Sequence, residues 1–167
     1  MKIIGFIILV VTGFVGGYFF YEQYTLQIDF LNQYIELITI IKNTILYSKT
    51  PLKKIISNFK FKNPINQNIK TCLINLENNT FAQSWQESFG GNYGIKLNLL
   101  PELKNLIADF GQQLGTSDSI SQAKICEQHI ELIKPYLQQA IQNKNKKGKL
   151  PLILGTSLGI TIAILLV

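Results

Sequence analysis

Few residues in this chain belong to the types that carry out catalysis or hold metal ions. The 167 residues include one histidine, two cysteines and no arginine. The histidine, His129, stands two residues from Glu127 and from Glu131, which is not the spacing of metal ligands on one helical face. We therefore expect a surface or half-buried histidine. One histidine also gives no argument for a Ser-His-Asp or Cys-His set, so we expect a non-enzymatic protein without metal or cofactor.

The two cysteines, Cys72 and Cys126, are far apart in the sequence and lie on separate apolar helical stripes. They lack the C-x-x-C spacing of a redox or zinc site. A disulfide is not expected in a reducing compartment. The sequence predicts two buried free thiols.

A glycine-rich stretch, DFGQQLGTSDSISQ at 109–122, invites a phosphate-binding interpretation. A P-loop needs G-x-x-x-x-G-K-[ST] after a strand, and this stretch has neither the lysine nor the strand. We interpret it as the joint of a helical hairpin. Gly115 is predicted to end one helix in a left-handed conformation, Thr116 or Ser117 to cap the next, and Asp118 to lie in its first turn.

A basic stretch at 37–76 contains no acidic residue but seven lysines. Lys53 and Lys54 fall in the first turn of a predicted helix, where the helix dipole disfavours cations. The stretch is either an ordinary solvated face or a surface for an acidic protein or anionic lipid. The candidate interface residues are Lys49, Lys53, Lys54, Lys60 and Lys62. Without arginine or an interleaved aromatic platform, nucleic acid is not expected as a partner, and neither is a small-molecule substrate.

Two uncharged runs, 3–21 and 150–167, flank the middle of the chain. As helices each would be roughly 27–29 Å long, close to the ~30 Å hydrocarbon core of a bilayer. We expect an N-terminal transmembrane helix at 1–21, a helical domain at 22–149 and a C-terminal transmembrane helix at 150–167. A cleaved signal peptide is the alternative for the first run, and a buried core helix for the second. Lysines before the second run outnumber the single Lys2 before the first, which favours a cytoplasmic middle.

Helical spacing dominates the middle domain. Tyr24, Ile28, Leu31, Ile35, Ile38 and Ile45 form a heptad seam. Thr50 is predicted as an N-cap with Pro51 at the first helical position, and Thr80 with Gln83 as a capping box. The last long helix is predicted to face inward with Ile120, Ala123, Ile130, Ile133, Leu137 and Ile141, and to be interrupted at Pro135. The predicted fold is all-α: a helical bundle whose long first and last helices lie antiparallel.

The order of these segments resembles the stage III sporulation protein AB family. The likeness is carried by YSKTPL after the first long helix, SWQES in mid-chain, FGQQLGTSDSISQAK, the basic flank and the terminal apolar run. It covers nearly the whole chain. The matching positions are Tyr47, Thr50, Pro51, Leu52, Trp85, Phe110, Gly111, Leu114, Gly115, Asp118 and Gln122.

The resemblance implies a membrane protein of the mother cell of a spore-forming bacterium. That family is one component of a channel-like assembly between mother cell and forespore, and is similar to the cytoplasmic helical domains of type II secretion and type IV pilus platform proteins. The implied partners are a secretion-type ATPase, other membrane proteins of the channel and membrane lipids. We expect a scaffold that docks the ATPase. A small transport subunit whose spans line a conduit is the alternative, although the runs carry few polar residues.

Overall fold

The computed structural model describes residues 2–48, 50–58, 64–90, 97–115 and 117–148, together with 150, 153–154, 156–157 and 160–162. These residues form α-helices and no strand, which confirms the all-α prediction. The helices are α1 Lys2–Ser48, α2 Leu52–Ser57, α3 Ile65–Asn75, α4 Phe81–Gly90, α5 Pro101–Gln113 and α6 Ser119–Lys147.

The chain divides into two compact units, one made of 1–28 with 138–167 and the other of 29–137. In the unit of residues 29–137 the apolar stripe of α1 is completely buried at Leu31, Tyr34, Leu37, Ile38 and Ile41. Burying a side chain of this size contributes about 1.5–3 kcal/mol, so the stripe is a large part of the stability of this unit. The other helices of the unit add Ile55, Ile56, Ile65, Cys72, Trp85, Leu103, Ile107, Phe110, Cys126 and Ile133 to the core.

Helices α4 and α5 pack closely because a glycine stands at each of two contact points between them. A Cβ atom added at Gly111 would lie 2.6 Å from Cβ of Trp85, and one added at Gly90 would lie 2.8 Å from Cβ of Ala108. The Trp85 indole Nε1 donates a hydrogen bond of 2.9 Å to the Ile107 carbonyl. The indole is therefore both buried and satisfied, as a core tryptophan requires.

Within residues 29–137, α1 and α6 meet in the order expected of antiparallel neighbours. The Tyr34 hydroxyl and His129 Nε2 share a hydrogen bond of 2.8 Å. Further along α1, Lys42 lies 3.8 Å from the Glu127 carboxylate, which is earlier in α6. In the other unit, the Lys144 ammonium lies 5.4 Å from the centroid of the Tyr21 ring, within cation–π distance.

Two predicted helix starts are displaced by one or two residues. Pro51 is the N-cap of α2 and not its first helical residue, and no side chain caps that helix. The Thr50 hydroxyl instead lies 2.6 Å from the Ser48 hydroxyl. The predicted start of α6 is also wrong. The helix begins at Ser119, and Asp118 takes the capping role that was predicted for Thr116 or Ser117.

The capping box of α4 is confirmed. The Gln83 backbone N–H donates to the Thr80 hydroxyl at 3.4 Å, and the Thr80 backbone N–H donates to the Gln83 side chain at 3.3 Å. Both donors belong to the helix start, where no intrahelical acceptor is available.

Two expectations for α6 are wrong. The helix continues through Pro135 from Ser119 to Lys147 and is not interrupted there. Ile120 points outward and is 76% exposed, because it lies in the first turn, next to the exposed loop that precedes α6. Ala123, Ile130 and Ile133 are buried as predicted.

Over the described residues alone, none of the helices combines the length and the apolar character that crossing a bilayer requires. Much of 150–167 lies outside the described residues.

Candidate docking groove

A surface groove of about 320 Å³ lies within the unit of residues 29–137, where two connections of the bundle meet. One wall comes from the end of α1 and the start of α2, and the other from the α5–α6 connection. The lining residues are Ile45, Thr50, Pro51, Leu52, Gly115, Ser119 and Gln122, and we refer to this feature as the Thr50–Gln122 groove. Among the described residues that line the groove, no side chain is titratable, so none of them can act as a general acid or base.

The first wall is fixed by the turn into α2. Pro51 has φ −56° and ψ 139°, an extended conformation that directs the chain away from α1. Its carbonyl accepts hydrogen bonds from Lys54 N–H at 2.9 Å and Ile55 N–H at 3.1 Å, which begin α2. Since Ile55 and Ile56 are buried, the short helix is held to the bundle by its apolar face. Leu52 is left half-exposed and lines the groove.

The second wall is fixed by Gly115 and Gln122. Gly115 has φ 82°, which confirms the predicted left-handed residue after α5. Its N–H donates a hydrogen bond of 3.1 Å to Oε1 of Gln122, and Nε2 of Gln122 donates to the Ser117 carbonyl. One side-chain amide therefore joins both sides of the α5–α6 connection and sets the shape of this wall.

Asp118 caps α6 beside the groove. Its Oδ1 accepts hydrogen bonds from the N–H groups of Ile120 at 3.0 Å and Ser121 at 3.1 Å, and its Oδ2 accepts one of 2.6 Å from the Ser121 hydroxyl. These bonds, the one from the Ser121 hydroxyl foremost, hold the pKa of the Asp118 carboxyl below its ordinary value. The carboxylate is thus engaged locally by the helix start.

Two candidate interface lysines adjoin the groove. Lys53 and Lys54 follow directly after the lining residue Leu52, and both are exposed. Among the described side chains, neither forms an ion pair. The ion pairs seen there join Lys42 to Glu127 and Lys134 to Glu131. Lys49, Lys60 and Lys62 lie outside the described residues.

The positions that carry the family resemblance fall into two groups. Thr50, Pro51, Leu52, Gly115 and Gln122 come together at the groove, although some 60 residues separate the two segments. Trp85, Phe110, Gly111 and Leu114 are buried within the bundle, where they pack the helices. Two positions belong to neither group: Tyr47 is 87% exposed, and Asp118 caps the start of α6.

His129 is buried, and the prediction of a surface or half-buried side chain is wrong. Its ring stacks on Phe110 with centroids 4.1 Å apart, and its Nε2 lies 2.8 Å from the Tyr34 hydroxyl. Only 3% of the residue is exposed. Burial lowers the pKa of the imidazole to about 4, so the ring is neutral near pH 7. This burial could not be predicted from the sequence, because the aromatic neighbours Tyr34 and Phe110 come from other helices.

Both cysteines are buried and free, as predicted. Burial raises the pKa of Cys72 and of Cys126 to about 11. Thiols with such a high pKa are protonated at neutral pH and are poor nucleophiles. Among the described residues, no group of three or more His, Cys, Asp or Glu side chains is placed to hold a metal ion.

The described residues thus define an all-helical bundle protein with a surface groove formed by two connections. The chain belongs to the stage III sporulation protein AB family, whose model matches residues 2–167. No match was found among curated proteins or among solved structures.

Proposed function

We propose that this protein is a non-enzymatic membrane scaffold of the sporulation channel that docks a cytoplasmic ATPase through the end of the bundle where α2 begins. The uncharged runs 3–21 and 150–167 anchor it in the mother-cell membrane, and the helical domain faces the cytoplasm. The family membership supports a role in sporulation. The membrane anchors, the orientation and the ATPase are parts of the proposal.

One observation carries the proposal. Two of the sequence segments that carry the family resemblance, YSKTPL and FGQQLGTSDSISQAK, form the two walls of one groove, and the exposed Lys53 and Lys54 follow the lining residue Leu52. Residues that only stabilise the fold are expected in the core, as Trp85 and Phe110 are. The groove residues that carry the resemblance lie at the surface or are half-buried, and their meeting from distant segments supports a place where a partner binds.

The charge on this side of the bundle indicates the kind of partner. The stretch 37–76 contains no acidic residue, so exposed Lys53 and Lys54 have no acidic neighbour nearby in sequence. Charges at the rim of an interface mainly guide association and set its salt dependence. An ATPase with an acidic surface fits this arrangement.

The test is copurification of a secretion-type ATPase with the full-length chain in detergent. We expect the double variant Lys53→Glu/Lys54→Glu to weaken binding about tenfold, which corresponds to about 1.4 kcal/mol. We also expect binding of the wild-type chain to weaken as salt is raised.

The matched control is Lys70→Glu/Lys104→Glu, which makes the same change in net charge at two exposed lysines on α3 and α5. Binding by this control should stay close to wild type. Equal loss in both double variants, or no loss in either, would remove the α2 lysines from the proposed interface.

A further inference from the structure

We infer that the Thr50–Gln122 groove binds an acidic peptide segment of the partner that carries one large apolar side chain. This inference rests on the proposed function and deepens it, because it names the contact site and the chemistry of the segment that enters it.

The groove has the size and lining for a single side chain. Its volume of about 320 Å³ is at the lower end of the ~300–1,000 Å³ typical of small-ligand sites. Ile45, Pro51 and Leu52 give one wall an apolar surface, whereas Gly115, Ser119 and Gln122 make the other wall small and polar. An apolar side chain can lie against the first wall while its own backbone faces the second.

Two large exposed side chains lie close in sequence to lining residues of the groove. Tyr47 is 87% exposed, three residues before Thr50, and Ile120 is 76% exposed, directly after Ser119. A bound segment that extends past the groove gains apolar contact area where it covers such side chains. Aromatic residues such as Tyr47 contribute strongly to binding at such sites.

The positive charge selects an acidic segment. Lys53 and Lys54 follow the lining residue Leu52 in the first turn of α2, both are exposed, and neither is paired with another described side chain. On the opposite wall, the Asp118 carboxylate is occupied by the start of α6 and its N–H groups. Lys53, Lys54 and Asp118 together carry two positive charges against one negative, so the charge of these three groups favours a segment that brings carboxylates.

The second wall is prepared before any ligand binds. Both ends of the Gln122 amide are used by Gly115 N–H and the Ser117 carbonyl. Gln122 thus positions the wall and leaves the recognition of the peptide to its neighbours. A preformed wall lowers the entropic cost of binding.

The experiment is selection from a displayed library of random 12-residue peptides on the immobilised full-length chain in detergent. We expect enrichment of peptides that combine Asp or Glu with one Phe, Leu, Ile, Trp or Met. Ser119→Phe fills the groove from the half-exposed start of α6 and should reduce binding of the selected peptides at least tenfold. Asn105→Phe adds the same ring to an exposed position of α5 and should leave binding unchanged.

A second variant does not depend on filling the groove. With Lys53→Glu/Lys54→Glu as the target, the acidic peptides should no longer be enriched. Enrichment of basic or purely polar peptides on the wild-type chain, or no enrichment at all, would overturn the inference. Selected peptides that bind equally to wild type and Ser119→Phe would do the same.

The outcome separates this inference from the function on which it rests. If Lys53→Glu/Lys54→Glu abolishes copurification of the ATPase but Ser119→Phe does not, the docking function stands and the groove is not its site. If acidic peptides occupy the groove while copurification survives both variants, the peptide site stands and ATPase docking fails.

Discussion

Gly115 holds a backbone conformation that few other residues adopt. Its φ of 82° lies in the left-handed region, and a Cβ added there would meet nothing closer than Leu52 Cδ1 at 4.0 Å. The space for a side chain exists, so the cost of replacing this glycine comes from the backbone alone. A left-handed residue costs about 1–2 kcal/mol, and a β-branched side chain is at the upper end of that range.

We therefore predict that Gly115→Val lowers the free energy of unfolding by about 2 kcal/mol and that Gly115→Asn lowers it by less. Denaturant unfolding of the two variants beside wild type measures the difference. A Gly115→Val variant as stable as wild type would show that this position does not require positive φ.

His129 makes the stability of the bundle depend on pH. The pKa of the buried imidazole is about 4, against about 6.5 in an unfolded chain. Between those values the unfolded state binds more protons than the folded state. The contribution of the neutral imidazole to the unfolding free energy is therefore fully present above pH 6.5 and is lost as the pH falls toward 4. Neighbouring ionisable groups include Tyr34, whose burial raises its pKa, and Cys126, so neither gains charge in this acidic window.

Between pH 7 and pH 5 we predict a loss of about 2 kcal/mol of unfolding free energy that depends on His129. His129→Gln removes the titrating group, so its unfolding free energy should change less over the same range. Urea unfolding of both proteins at each pH measures the contribution. Parallel pH profiles for wild type and variant would contradict a buried neutral histidine.

At the scale of single residues, the sequence predicted what local conformation determines. Gly115 was recognisable because a left-handed glycine commonly ends a helix, and Thr80 with Gln83 because the capping pair lies within four residues. The burial of His129 was not recognisable. It depends on Tyr34 and Phe110, which are distant in sequence and reach the histidine only after the helices have packed.

The close packing of α4 against α5 requires a residue without a Cβ atom at position 111. Gly111 faces Trp85 so closely that a Cβ would lie 2.6 Å from the Cβ and 2.7 Å from the Cγ of the tryptophan. Alanine normally stabilises a helix relative to glycine by roughly 0.5–1 kcal/mol. At Gly111 the added Cβ collides with Trp85, so alanine should destabilise the protein relative to glycine.

We predict that Gly111→Ala destabilises the protein by about 1–3 kcal/mol, the usual cost of forcing extra atoms into a packed core. The control is Gly16→Ala in α1, where an added Cβ meets nothing within 4 Å, so that variant should not be destabilised. Thermal unfolding compares the two. Gly111→Ala melting at or above the wild-type temperature would mean that α4 and α5 can separate at little cost.

At the scale of elements, periodicity predicted part of the buried face of α1: Leu31, Ile38 and Ile45 of the heptad seam are buried, whereas Tyr24, Ile28 and Ile35 are half-exposed. The starts of α2 and α6 were displaced because several polar residues compete for each cap. Asp118 takes the role at α6 by accepting from two backbone N–H groups, whereas Thr50 bonds to Ser48 instead of capping α2. The Thr50–Gln122 groove could not be predicted, since no local pattern shows that the two connections meet.

For the whole molecule, the proposal requires that the chain be held in the membrane with residues 22–149 in the cytoplasm. An exposed cysteine introduced by Asn105→Cys reports on this directly, since Cys72 and Cys126 are buried. In intact cells we predict no labelling by a membrane-impermeant maleimide, and full labelling after permeabilisation. Labelling of intact cells would place the domain outside. Recovery of the protein in the soluble fraction of cells lysed without detergent would contradict the membrane anchors.

Photocrosslinking in the assembled membrane complex shows whether a partner binds at the Thr50–Gln122 groove. A photoreactive amino acid is placed at Lys53 or Ser119 beside the groove, or at Lys104 on α5 as the control. We predict crosslinks from positions 53 and 119 to one partner with an acidic segment, and none to that protein from position 104. Crosslinks to it from all three positions, or from 104 alone, would show that the groove is not the docking site.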